Sequence, residues 1–235
     1  MKKRLICFDL DGTLTQHRSK LEEKNRGLLD ELSKKYKLLM VGAGAAERIY
    51  AQMNEYPIDI LGNYGMQESK IIDGKLTLVK QVVTNVDKEF FIEKINYLRE
   101  KYGYTEYKGE SVEFHATGMV TFPLLGTKAE IADKIAFDPT REKRKVLYPE
   151  VLEIFKDCTV YIGGSSSFDF SGKQYNKYDA IMQYAKENGY VAEEILYVGD
   201  DFGDGGGDSH VRLGGLDYVE ITDYTKTKEK LAYLL

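Results

Sequence analysis

Short, wholly apolar runs alternate along this chain with stretches whose apolar residues recur every three or four positions. Leu5-Ile6-Cys7-Phe8 is such a run and reads as a buried strand. Glu22 to Lys34 carries Leu28, Leu29 and Leu32 at helical spacing. Leu38 to Val41 and Ile58 to Leu61 read as further strands around a helix at Ala45 to Met53. Strand, helix, strand, helix, strand predicts a parallel sheet with crossover helices. Asp73-Gly74, between two extended stretches, suits the two-residue turn of a hairpin.

The pattern changes after about residue 82. Asp87 to Lys101 reads as a helix with Phe90, Phe91, Ile95 and Leu98 on one face. Extended segments come next at Ser111–His115, Met119–Phe122, Thr159–Gly163 and Ser166–Phe170. Asp138-Pro139 predicts a helix start, and Pro149 a break or kink in that helix. From Lys177 the earlier rhythm returns, with a helix at Tyr178–Lys186 and strands at Ile195–Val198 and Asp217–Ile221. A closing helix is expected at Thr225–Leu235. The organisation expected is therefore an α/β domain, residues 1–81 and 173–235, split by an inserted α+β domain, residues 82–172.

Composition narrows the function classes. The chain has 235 residues, 43% apolar and 30% charged, an ordinary globular balance. A length like this buries roughly 70–75% of the unfolded surface, so no staple is needed. Lys and Arg number 33 against 38 Asp and Glu, a net charge of −5, which argues against nucleic acid as a partner. The absence of an apolar run near 18 residues argues against a membrane span, and Asp9 cuts the first apolar stretch too early for a signal peptide. Two cysteines, Cys7 and Cys158, exclude a disulfide framework and favour the cytoplasm.

Candidate chemistry sits at two predicted strand ends. Asp9-Leu10-Asp11-Gly12-Thr13 comes directly after the first strand. The carboxyl edge of a parallel sheet is where ligands bind, and two close carboxylates there call for a cation. The second cluster, Gly199 to Asp208, holds four Asp and comes directly after Ile195–Val198. It departs from an EF-hand loop, with Phe202 and Val211 where ligands would stand. Lys177 opens the helix that returns the chain to the first domain. Lys143-Arg144-Lys145 reads as a solvated helix face, and His17 and His210 as polar loop residues.

Asp9-x-Asp11-Gly12-Thr13, then a lysine, then Gly199-Asp200 resembles the haloacid dehalogenase superfamily of phosphotransferases. Ile162-Gly163-Gly164-Ser165-Ser166-Ser167-Phe168-Asp169, with Lys177 eight residues on, is similar to its α-phosphomannomutase branch, as are Val112-Glu113-Phe114, Gly205-Gly206-Gly207-Asp208 and Arg18. The resemblance implies a Rossmann-like core with an α+β cap. It implies that Asp9 is a nucleophile forming an aspartyl-phosphate, Asp11 the general acid/base, and Lys177 the neutralising cation. Mg²⁺ would be held by Asp9, the Asp11 carbonyl and Asp200, with Asp208 in or beside the metal site. Arg18, Gly44, His115, Lys134, Ser167 and Asp169 match substrate-binding positions, and a homodimer through the caps is implied as possible.

The departures shape the expected function. Gly44 stands where the family has a phosphate-binding Ser or Thr, and Gly207 replaces the usual Asn before Asp208. His115, Thr127 and Lys134 stand where the mutases carry cap arginines, and none reproduces a bidentate arginine grip. A mutase must hold a bisphosphate while it reorients, whereas a phosphatase need only admit water. The expectation is Mg²⁺-dependent hydrolysis of a small phosphorylated metabolite, a sugar phosphate. The alternatives are a hexose-phosphate mutase and a catalytically weak sugar-phosphate-binding protein.

Overall fold

The computed structural model describes residues 2–235. The elements in chain order begin with β1 (Leu5–Phe8), α1 (Glu23–Ser33), β2 (Lys37–Val41), α2 (Ala46–Gln52), β3 (Asp59–Gly62), β4 (Gln67–Ile72) and β5 (Lys75–Gln81). Then come α3 (Lys88–Tyr102), β6 (Glu113–Phe114), β7 (Val120–Pro123), α4 (Ile131–Phe137), α5 (Glu142–Ile154), β8 (Cys158–Tyr161) and β9 (Ser167–Gly172). The chain closes with α6 (Lys177–Asn188), β10 (Ile195–Gly199), α7 (Ser209–Leu213), β11 (Tyr218–Glu220) and α8 (Thr227–Lys230). Packing groups them into two compact units, the chain up to Val82 with Tyr175–Leu235, and Val83–Gln174.

The first unit is built on a seven-stranded sheet in the order β11-β10-β1-β2-β3-β4-β5. The five strands from β11 to β3 are parallel, and the β4–β5 hairpin is added antiparallel at one edge. The runs are apolar throughout because both faces are covered. Ile6, Phe8, Leu38, Met40, Ile60, Leu196 and Val198 enter one buried cluster. Their neighbours Leu5, Cys7, Leu39, Val41, Leu61, Ile195 and Tyr197 enter the other. This is the period of two, read across two layers of helices. Strand order reverses at β1, since β2 lies on one side and β10 on the other. The crevice at such a reversal is the ligand site of open α/β sheets, and the residue leaving β1 there is Asp9.

The second unit has an antiparallel sheet, order β6-β7-β9-β8. One face carries Val120, Phe122, Phe168, Phe170 and Val160 into a cluster with Phe91, Ile95 and Leu98 of α3 and Leu147 and Val151 of α5. The other face presents a row in register: Glu113, Thr121, Asp169 and Tyr161. Cys7 and Cys158 are both free thiols. Among the described residues, no helix is long and apolar enough to cross a membrane.

Four expectations are corrected. The helix after Asp138-Pro139 begins only at Glu142, yet Asp138 still serves its start, accepting the N–H groups of Lys143 (3.0 Å) and Arg144 (3.1 Å). Pro149 lies inside α5 without ending it; proline has no N–H for the carbonyl four residues back, and that residue, Lys145, is exposed. Arg144 is buried, not solvated, and its Nε meets Asp138 at 2.9 Å. The closing helix is broken into α8 between two short 3₁₀ turns, an arrangement that lets Thr227 donate to the Thr13 carbonyl (2.7 Å) while Leu231 and Leu234 stay in the core.

Candidate active site

Parallel pairing puts the ends of β1, β2 and β10 at one sheet edge, and the residues leaving those strands form the site. Asp9 N–H is fixed to the Val198 carbonyl at 2.9 Å. Gly12 then turns the chain at φ +90°, and a Cβ there would overlap the Asp200 carboxylate. Glycine is required twice at that position, for its dihedral and for its missing volume. Thr13 Oγ1 donates to Asp200 Oδ1 at 3.1 Å, tying the two acidic loops together.

Lys177, the first residue of α6, is buried, and its three N–H groups are all used. Its Nζ donates to Asp9 Oδ1 (2.6 Å), Asp208 Oδ1 (2.7 Å) and the Tyr197 hydroxyl (3.2 Å). Tyr197 in turn donates to Asp208 Oδ1 at 2.5 Å. Asp208 Oδ2 accepts the backbone N–H groups of Asp200 (3.1 Å) and Asp201 (3.0 Å). Four donors therefore fill the roughly four acceptor positions of the Asp208 carboxylate. Asp208 anchors the lysine and the glycine-rich loop.

Electrostatics follows from this geometry. Burial pushes the Asp9 carboxyl up to about 6, with Lys177 pulling it down and Asp208 pushing it up again. Burial and the charges of Asp9, Asp208 and Asp201 push Asp200 up to about 9. Burial also acts on Asp208, but Lys177 and its other donors outweigh it and hold Asp208 below the usual range. Lys177 is raised because Asp208 and Asp9 overcome its burial. Asp9, Asp200 and Asp208 each offer an oxygen within 4.8 Å of the others. Hard oxygen donors, held together against their own repulsion, fit a divalent cation such as Mg²⁺.

Asp11 is held beside this group. Its Oδ1 accepts the Arg18 backbone N–H at 2.7 Å and the Gln52 side-chain amide at 2.6 Å, and its Oδ2 lies 3.6 Å from Arg48 Nη1. Arg18 thus meets Asp11 through its main chain, in a left-handed conformation (φ 58°) that is unusual for arginine. Gly44 lies beyond β2 at the same sheet edge. The first N–H of α2, from Ala46, is taken by Gln67 Oε1 at 3.1 Å. A cavity of about 580 Å³ opens beside Gly12 and Asp200.

The remaining predicted positions lie in the second unit. His115 Nε2 and Thr121 Oγ1 are 3.0 Å apart, and Thr121 donates to Asp169 Oδ1 at 2.7 Å. Ser167 Oγ donates to the Gly163 carbonyl (3.1 Å), and Lys134 Nζ to the Thr127 carbonyl (3.0 Å). Sequence reasoning missed Tyr197, Gln52 and Arg48, and quoted Thr13 only as part of the first motif. Tyr197 was hidden inside an apolar strand run. Arg48 and Gln52, four apart on one helix face, carry no signal until α2 is placed against Asp11.

A family model described as haloacid dehalogenase-like hydrolase matches residues 6–205. The phosphomannomutase of Encephalitozoon cuniculi is 24% identical over 221 residues, 89% of this chain and 84% of the relative. That of Saccharomyces cerevisiae is 26% identical over 231 residues, 93% and 85% of the two chains. Among solved structures, the Plasmodium falciparum IMP-nucleotidase superposes with a TM-score of 0.69 at 16% identity, over 100% of this chain and 70% of that one. A haloacid dehalogenase-like hydrolase from B. subtilis gives 0.63 at 14% identity, over 92% and 88%. The structural matches speak to fold alone. With the family match spanning both acidic strand ends, the chain belongs to the haloacid dehalogenase-like hydrolases, and its curated relatives lie in the phosphomannomutase branch.

Proposed function

We propose that this protein is a Mg²⁺-dependent phosphatase of small sugar phosphates that works through an aspartyl-phosphate on Asp9. Asp9 attacks phosphorus; an O–P bond forms as the ester P–O bond breaks, and Asp11 delivers a proton to the departing oxygen. Water then attacks the aspartyl-phosphate, Asp11 accepts its proton, and inorganic phosphate leaves with Asp9 restored. Lys177 holds Asp9 in place and sets a positive charge beside the transferring group. Asp9, Asp200 and the Asp11 carbonyl would hold Mg²⁺, which supplies charge neutralisation for the phosphoryl oxygens. Asp208 orients this set, since its own acceptor positions are filled.

One observation favours hydrolysis over mutation of the sugar. The positions aligned with a mutase's cap arginines are occupied by small or singly charged groups already engaged within their own unit. His115 bonds Thr121, Thr127 Oγ1 accepts the Glu110 N–H (2.9 Å), and Lys134 reaches the Thr127 carbonyl. No cluster of guanidinium groups at these positions offers the bidentate grip a second phosphate needs. The second reading, a hexose-phosphate mutase, is favoured by the name its curated relatives carry.

The test is phosphate release from p-nitrophenyl phosphate and from mannose 1-phosphate with Mg²⁺, alongside isomerisation of mannose 1-phosphate with added hexose bisphosphate. We expect release from both esters with little dependence on bisphosphate, and Asp9→Asn reduced to background. Bisphosphate-activated isomerisation with negligible release would establish the mutase instead. Near-normal turnover by Asp9→Asn would end the covalent mechanism.

A further inference from the structure

Gly44 has no positive φ, so its backbone does not demand glycine. What occupies the space is a neighbouring side chain. A Cβ built on Gly44 would overlap the Arg48 guanidinium, with Nη2 and Nε its nearest atoms. Side chains of a helix lean toward its N-terminus. Arg48, the third residue of α2, therefore reaches back over Gly44 and fills the space that a side chain there would take.

The guanidinium lies beside the proposed acid/base. Its Nη1 donates to Gln52 Oε1 at 2.9 Å and is 3.6 Å from Asp11 Oδ2, too long for a hydrogen bond. Asp11 is already held by Arg18 N–H and Gln52, so it does not need Arg48 to stay in place. Among the described residues, Nε and Nη2 have no hydrogen-bond partner, and the side chain is 44% exposed. That free edge is the planar two-donor fork that matches a phosphate. It stands at the sheet edge shared with Asp9, since β2 is bonded to β1 in parallel register.

We infer that Arg48 is a phosphate-binding group of this site, its guanidinium occupying the space a residue-44 side chain would fill. The inference rests on the reading of the site as one for phosphate monoesters. It assigns the grip to a bidentate charged donor in place of a hydroxyl. It also couples the two positions: a Cβ at 44 obliges the guanidinium at 48 to leave its inward place.

The test compares wild type, Arg48→Ala, Gly44→Ser and the double variant by calorimetric titration with inorganic phosphate in the presence of Mg²⁺, and by turnover of p-nitrophenyl phosphate. Arg48 is half exposed, so Arg48→Ala should melt near wild type. We expect Arg48→Ala to weaken phosphate binding about tenfold or more and to raise KM in proportion. Gly44→Ser should restore several-fold of that affinity in the Arg48→Ala background, and alone should weaken binding several-fold, since its Cβ displaces the guanidinium. Unchanged phosphate affinity in Arg48→Ala overturns the inference, whatever happens to kcat. A lower kcat at unchanged affinity would mean the guanidinium acts on Asp11 alone. Phosphate binding by wild type without turnover would end the hydrolase reading and leave Arg48 to be judged by calorimetry. Absence of phosphate binding by wild type would overturn both.

Discussion

Lys177 stands between two buried carboxylates, Asp9 and Asp208, and gives each a hydrogen bond shorter than 2.8 Å. Removing the cation leaves both acids uncompensated in the interior. Lys177→Met should therefore destabilise the fold by about 3–5 kcal/mol and abolish turnover. Tyr197→Phe removes a hydroxyl that donates to Asp208 and accepts the third N–H of Lys177. Asp208 Oδ1 keeps its lysine, so the expected cost is about 1 kcal/mol with turnover largely retained. Urea titration of both variants checks the order; equal losses would mean that Lys177 is not the group that compensates the pair.

Two elements of the second unit are pinned by buried arginines that no local pattern announces. Arg99 of α3 donates to the carbonyls of Tyr104, Ser111, Pro123 and Leu124. Arg144 of α5 holds Asp138 and the carbonyls of Gly163, Gly164 and Ser167. The Arg144 contacts join α5 to the turn that leads into β9, which carries Ser167 and Asp169. Arg144→Ala should cost about 3–5 kcal/mol in the 83–174 unit, because the Asp138 carboxylate would be left buried without its cation. Burial alone would raise the Asp138 carboxyl, but the Arg144 bond and the N–H groups of Lys143 and Arg144 outweigh it and hold it low. Its folded pKa is thus below its unfolded value near about 3.9. Its contribution is present above that value and is lost as pH falls through the lowered one. Asp138→Asn should accordingly be less stable than wild type at pH 7, with the gap narrowing toward pH 3. A gap independent of pH would count against an ionised Asp138.

For the molecule as a whole, the acidic loops impose a pH-dependent cost that a cation relieves. Asp9 is raised to about 6 and Asp200 to about 9. Both lie above the unfolded value near about 3.9. Between those limits the folded state binds more protons than the unfolded one, so metal-free stability declines as pH rises from about 4 to 9. Mg²⁺ bound at these carboxylates favours their charged form and reverses the penalty. The rise in Tm on adding Mg²⁺ should be larger at pH 8 than at pH 5. Melts showing an equal or smaller rise at pH 8 would place the cation elsewhere.

Much of this was legible in one dimension because it depends on local rules. Apolar runs such as Leu5–Phe8 and Leu38–Val41 specify strands covered on both faces. Asp9-x-Asp11-Gly12-Thr13 after such a run marks a chemical strand end whatever its neighbours are. Proline and aspartate misled at 138–149, because Asp138 serves its helix across a loop and α5 runs on past Pro149 to Ile154. Tertiary structure alone decided the partnerships between residues far apart in sequence. Asp208 belongs to Lys177, 31 positions away, and Gln52 to Asp11, 41 away. Whether an arginine is a solvated charge or a buried clasp, as Arg144 is, depends on which carbonyls the fold brings to it. Gly44 read as a lost hydroxyl in the sequence; only the packing of α2 showed that its missing side chain is the space Arg48 fills, since volume is a property of three dimensions.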